Sequence, residues 1–201
     1  STSSAAMTAV QRKRLADFKA RKSRFLKFRR MAGAKATSNV LRTGGTAAMV
    51  YGQGNTGVST SMLYKQRSST AAASSRGGPG ELDLTLIFAD GSRSGKADPA
   101  FAAHEDAIGM WSEAVWSNWM PLAALRKMVD HSIAKQDASN RSPWSGVFGP
   151  AAAFVASARR LRWKVHSAFL LTTDAGTTLD LLRDPPAYVV SLVHKAVWAW
   201  R

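Results

Sequence analysis

Three carboxylates are of the type that phosphodiester chemistry uses. Asp90 ends an apolar run and is followed by Gly91 and Ser92, Glu113 falls in a helical pattern, and Asp174 follows an apolar stretch. An acid at the end of a buried segment, joined by later carboxylates, is the donor set that holds two Mg²⁺ ions on a scissile phosphate. A second group offers charge and no reactivity. Arg12, Lys13, Arg14, Lys19, Arg21, Lys22, Arg24, Lys27, Arg29 and Arg30 crowd residues 8–31, and Arg42, Lys65 and Arg67 extend the series. The one acid among residues 1–76 is Asp17. Cations at that density normally face a polyanion: nucleic acid, or less often an anionic membrane surface.

The spacing of the carboxylates argues against the nuclease. Asp90-Gly91-Ser92 after an apolar segment looks like the first metal-binding carboxylate of a type 1 ribonuclease H. That fold needs two further strands before its helical Glu. Here Asp98-Pro99 starts a helix only eight residues on, so Glu113 arrives too soon. A turn after a buried segment accounts for Asp90 better. No cofactor is expected, and the Mg²⁺-dependent nuclease with Asp90, Glu113 and Asp174 stays as an alternative.

Other catalytic patterns are missing. There is no G-x-S-x-G elbow, no phosphate-binding G-x-x-x-x-G-K-[ST], no H-E-x-x-H and no Tyr-x-Asp-Asp. Gly52-x-Gly54-x-x-Gly57 spells the dinucleotide fingerprint, but the preceding strand and the later acid are lacking. Tight turns between short helices explain it better. The absence of Cys excludes a disulfide scaffold, zinc knuckles and thiol catalysis. No run approaches eighteen apolar residues, so no membrane span is expected. Trp111, Trp116, Trp119, Trp163, Trp198 and Trp200 have faces on which bases stack. Helical spacing assigns Trp111 and Trp119 to the core, and of Trp198 and Trp200 only one faces inward.

The elements that must position these groups read as mostly α. One long helix is predicted over residues 8–31, with Leu15, Phe18, Phe25 and Leu26 on one side. A second is predicted over residues 59–75. The Ser/Gly-rich stretch 74–80 reads as a linker, and the charge step falls there: residues 1–76 hold 15 Lys/Arg against one acid, residues 77–201 hold 13 against 12. The predicted organisation is a basic helical segment, 1–76, and a near-neutral helical domain, 77–201, with one β-hairpin at about 163–182. Residues 82–88 read equally as strand or short helix. Asp98-Pro99, Gly149-Pro150 and Asp184-Pro185 each signal a helix start. After the first, Phe101, His104, Ile108, Trp111, Val115 and Trp119 recur as a core stripe, and Pro121 breaks the helix. Asp174-Ala175-Gly176 reads as the hairpin turn.

The segment RTGGTAAMVYG at residues 42–52, then GVSTSML at 57–63 and a basic helix, resembles the region just after the palm of non-LTR retrotransposon reverse transcriptases. The downstream half is similar to the same polyproteins in protists, through Asp98-Pro99, Trp111, Trp116, Gly149-Pro150, Trp163, Asp174, Gly176, Leu179 to Leu181, Pro185-Pro186 and Trp200-Arg201. The resemblance implies that residues 1–76 belong to a thumb or connection that grips template–primer, beside upstream polymerase domains of the same polyprotein. The fingers and palm, with their catalytic Asp residues, have no counterpart in these residues.

The expected function is therefore a non-catalytic, nucleic-acid-binding fragment of a retroelement reverse transcriptase. The basic helix neutralises phosphates of RNA or an RNA–DNA hybrid, largely without reading sequence. The rival is an RNA-binding ribonucleoprotein or organellar component with a basic N-terminal arm. The start at Ser1 reads as a processed chain or a fragment, and its Ser/Thr/Ala/Arg composition also resembles a transit peptide. The nucleus or cytoplasm suits a retroelement product, an organelle a targeted one.

Overall fold

The computed structural model describes residues 4–74, 82–90, 97–139 and 143–201. Packing divides the chain into two units, residues 1–51 with 59–102 and residues 52–58 with 103–201. The fold is mostly α with one small antiparallel sheet, as the sequence predicts.

In the first unit, Ser4–Ala20 (α1) lacks Gly and Pro and is rich in Ala, Lys and Arg, all good helix formers. Lys22–Val40 (α2) follows after a break at Arg21, which sits at φ −89°, ψ −3°. The single helix expected over 8–31 is thus two. In an unbroken helix, residues seven apart lie about 10 Å apart along the axis. The break brings the Phe18 and Phe25 rings to a 5.4 Å centroid separation. Both rings are buried, and they pack on Gly45, where a Cβ would lie 3.0 Å from Phe25. Further along α2, Gly33 at φ +83° interrupts the helical backbone. A π-helical turn, Leu41–Gly45, leads into Thr46–Val50 (α3), which packs on α1.

Thr60–Ser74 (α5, counting the single turn Gln53–Thr56 of the second unit as α4) is capped by Ser59, whose Oγ accepts the Met62 N–H at 3.2 Å. Leu82–Asp90 (α6) is a helix, which resolves the ambiguity of residues 82–88. It packs on α5 and α2. The division expected at 76/77 is corrected accordingly: residues 82–102 belong with the basic unit. The reason is chemical. Arg67 of α5 is only 5% exposed and donates to Asp98 at 3.0 Å and to Asp83 of α6. Without those acids a buried guanidinium would lack its counter-charge. The predicted linker, residues 75–80 in particular, lies outside the described residues.

The second unit is built around Gly149–Arg160 (α9), in which every residue from Ala151 to Ser157, and Ala158 after it, is buried. A helix apolar on all sides must be enclosed. It packs on α4, on Leu122–Asp137 (α8) and on strand Lys164–Val165 (β1). Pro99–Trp116 (α7) starts in the first unit and supplies Ala107, Ile108, Trp111 and Val115 to the core of the second. Trp111 stacks on Phe154 at 5.3 Å and donates its indole N–H to the Ala168 carbonyl at 2.9 Å.

The predicted hairpin is present as Leu170–Thr172 (β2) against Thr178–Asp180 (β3), with Leu171 opposite Leu179 and both fully buried. Gly176 at φ +83° turns the chain between them. The stretch before the turn is itself folded back, so that β1 pairs with β2 and makes a third strand. The Ser167 hydroxyl accepts the Phe169 and Leu170 N–H groups and fixes that extra turn. Pro186–Trp200 (α10) closes the unit, with Val189, Val193 and Val197 inward.

Trp119 is not part of the core stripe; it is 60% exposed. The helix stops at Trp116 because Asn118 takes φ +48° and the Trp119 N–H bonds the Ala114 carbonyl at 3.1 Å, while Asn118 N–H bonds Val115 at 3.3 Å. That pair of bonds is the Schellman termination, with Asn at the left-handed position. It turns the chain away before Trp119 can join the buried face.

Candidate nucleic-acid interface

The described basic residues of the first unit separate into three groups by their surroundings. Arg12, Lys13, Lys19, Arg21, Lys22, Arg24, Lys27 and Arg30 are exposed, and so are Lys35 and Lys65. None of these ten has an ion-pair partner among the described residues. Leu15, Phe18 and Phe25 occupy the inner side of the same helices, which holds the cations outward. Arg12 and Lys19, seven residues apart on α1, share one stripe.

The second group is tethered. Arg14 donates to the Tyr51 carbonyl and lies 5.2 Å from the Tyr51 ring centre, a cation–π distance. Arg29 donates to the Ser74 carbonyl, and Arg42 donates to Asn39 Oδ1 at 3.3 Å. These side chains are half-buried, and those of Arg14 and Arg29 hold backbone carbonyls.

The third group is Arg67, and here the sequence reading is corrected. Its Nε donates to both Asp98 oxygens at 3.0 and 3.2 Å, and its Nη2 donates to Asp98 at 3.0 Å and to Asp83. Burial alone lowers its pKa, but the bonds and charges of Asp98, then Asp83, overcome this and raise it. A guanidinium so occupied is an internal ion pair and no phosphate contact. Asp98 also accepts the Ala100 N–H at 2.8 Å and thereby caps α7.

Two exposed aromatics of the same unit escape sequence reasoning. Tyr51 is 72% and Tyr64 is 63% exposed, and each offers a ring on which a base can stack. Tyr51 lies within a motif, yet only its contact with Arg14, 37 residues away, marks it out. Lys35 was hidden by the same logic, standing outside the dense run.

The nuclease constellation is not seen among the described residues. Residue 90 ends a helix and no strand, so the Asp-at-strand-end geometry is missing; the Asp90 side chain and Ser92 lie outside the described residues. Glu113 accepts from the Ser117 hydroxyl at 2.7 Å, and Asp174 accepts from the Trp163 indole at 3.0 Å. Among the described residues no three His, Cys, Asp or Glu side chains are grouped to hold a metal ion.

The glycine motif at 52–57 brackets α4: Gly52 and Gly57 take φ +79° and +64°. Gly54 lies so close to α7 that a Cβ would sit 2.9 Å from the Asp106 carbonyl oxygen. Turns and close packing account for all three glycines. Among the described residues no helix is long and apolar enough to cross a membrane. No family model, curated protein or solved structure matches the chain.

Proposed function

We propose that the first unit binds nucleic acid through its phosphate backbone, and that the chain is the non-catalytic gripping portion of a retroelement reverse transcriptase polyprotein. The observation that carries the binding is the unneutralised row of exposed cations on α1 and α2, from Arg12 to Lys35, beside which Asp17 is the one acid. Phosphate contacts position a duplex without reading its sequence, which suits a surface that must slide along template–primer. Tyr51 and Tyr64 add stacking faces for an unpaired base. The retroelement origin is supported by the sequence resemblance, through the 42–52 and 57–63 motifs and the downstream positions from Asp98-Pro99 to Trp200-Arg201.

Fluorescence anisotropy with an RNA–DNA hybrid, repeated over a salt series, tests the binding. If about six phosphates are covered, log K falls against log salt with a slope on the order of −5. A flat salt response, or undiminished affinity after K19Q, R21Q, K22Q, R24Q and K27Q are combined, would overturn it. A Tyr-x-Asp-Asp segment in the same reading frame upstream of Ser1 tests the origin.

A further inference from the structure

The second unit contains a cavity of about 430 Å³ whose lining includes Arg162, Lys164, Thr172, Asp174, Ala196 and Trp200. That volume is in the range of small-ligand sites. Arg162 and Lys164 are exposed side chains with no ion-pair partner among the described residues. Asp174 already accepts the Trp163 indole N–H through Oδ1, and its Oδ2 meets no donor among the described residues. The indole of Trp200 provides one wall. A single site thus offers two cations, one flat aromatic face and one free carboxylate oxygen.

The backbone at Arg162 gives an independent reason to regard the site as built. Arg162 N–H bonds the Arg159 carbonyl and Trp163 N–H bonds the Ala158 carbonyl, both at 3.0 Å. This is the Schellman termination of α9, and Arg162 stands at its left-handed position with φ +63°. Glycine normally fills that position, because every other side chain adopts the conformation at a cost. An arginine there, with its side chain on a cavity, combines local strain with a placed charge.

We propose that this cavity binds a nucleoside phosphate. The phosphate lies against Arg162 and Lys164, where planar guanidinium and ammonium donors match its oxygens. The base stacks on Trp200, and Asp174 Oδ2 accepts a base N–H. The inference goes beyond the phosphate track of the first unit and uses none of its residues.

The test is calorimetric titration of the full chain with AMP, GMP, CMP and UMP, and with adenosine and inorganic phosphate. At least one monophosphate should saturate a single site. Its nucleoside and inorganic phosphate should each bind about tenfold more weakly, or worse, for want of one set of contacts. Arg162→Gly should weaken the monophosphate at least about tenfold while raising Tm by about 2–4 °C, since the strain is relieved. Lys164→Ala should weaken it without that rise. No saturable binding by any monophosphate, binding matched by inorganic phosphate, or affinity unchanged in both variants would overturn the proposal. The five-fold Gln variant of α1 and α2 should retain mononucleotide binding, so failure of the cavity and failure of the basic face read out separately.

Discussion

Arg67 and Arg24 belong to the same basic unit and differ in everything but their side chain. Arg24 faces water, whereas Arg67 is enclosed with Asp98 and Asp83. Removing one partner of such a pair strands the other charge away from water. Asp98→Ala should therefore destabilise the protein by about 3–5 kcal/mol, part of it from loss of the α7 cap, as chemical denaturation would show. Arg160 of α9 is the opposite case. Its guanidinium lies 3.8 Å from the Trp144 ring centre and donates to the Val58 carbonyl, but its Nε and Nη1 are buried with no partner among the described residues. Desolvation lowers its pKa to about 9. Between that value and the ordinary arginine range the unfolded chain holds the extra proton, so stability rises with pH through this window. Arg160→Met should be neutral or stabilising near pH 7, and its advantage should shrink by about pH 10, measured as the difference in denaturation free energy between the two proteins.

At the scale of elements, the starts and stops of helices were largely legible. Asp98-Pro99 and Gly149-Pro150 open helices where the sequence places them, and Pro121 separates α7 from α8. Asp184-Pro185 precedes α10 as expected, although the Asp184 carboxylate accepts the Asp180 N–H and caps no helix. The hairpin was legible from its turn, Asp174-Ala175-Gly176. The break at Arg21 was not, because nothing in a run of good helix formers signals it; the pairing of Phe18 with Phe25 over Gly45 decides it. The role of Gly54 was equally hidden. Gly54→Ala puts a Cβ against the Asp106 backbone, which cannot rotate aside as a side chain can. It should cost about 1–3 kcal/mol, read as a lower midpoint in urea unfolding.

Across the whole molecule, charge is divided unequally between the units. The first holds 17 Lys/Arg against 5 acids and the second 11 against 8. Repulsion within the first unit opposes folding, so the proposed binding of a polyanion would relieve it as well as gain contacts. Each exposed cation of α1 or α2 replaced by Gln should reduce the magnitude of the salt slope by about 1 where it covers a phosphate, whereas Arg67 is absent from that count. Circular dichroism on the same variants would show that the helices persist, since their inner faces are untouched.

The sequence alone determined the chemistry available: a dense row of cations with one acid among them, no thiols, and helix boundaries written in Pro, Gly and Asp. These follow from residue type and short-range geometry, which do not depend on the rest of the chain. The tertiary structure alone decided which cations are free, because that depends on acids brought from far along the chain, as Asp83 and Asp98 are brought to Arg67. It likewise placed residues 82–102 with the basic unit, exposed Trp119 and Tyr51, and set a left-handed arginine on a cavity. Burial and charge pairing arise from long-range packing, and one-dimensional spacing carries no record of them.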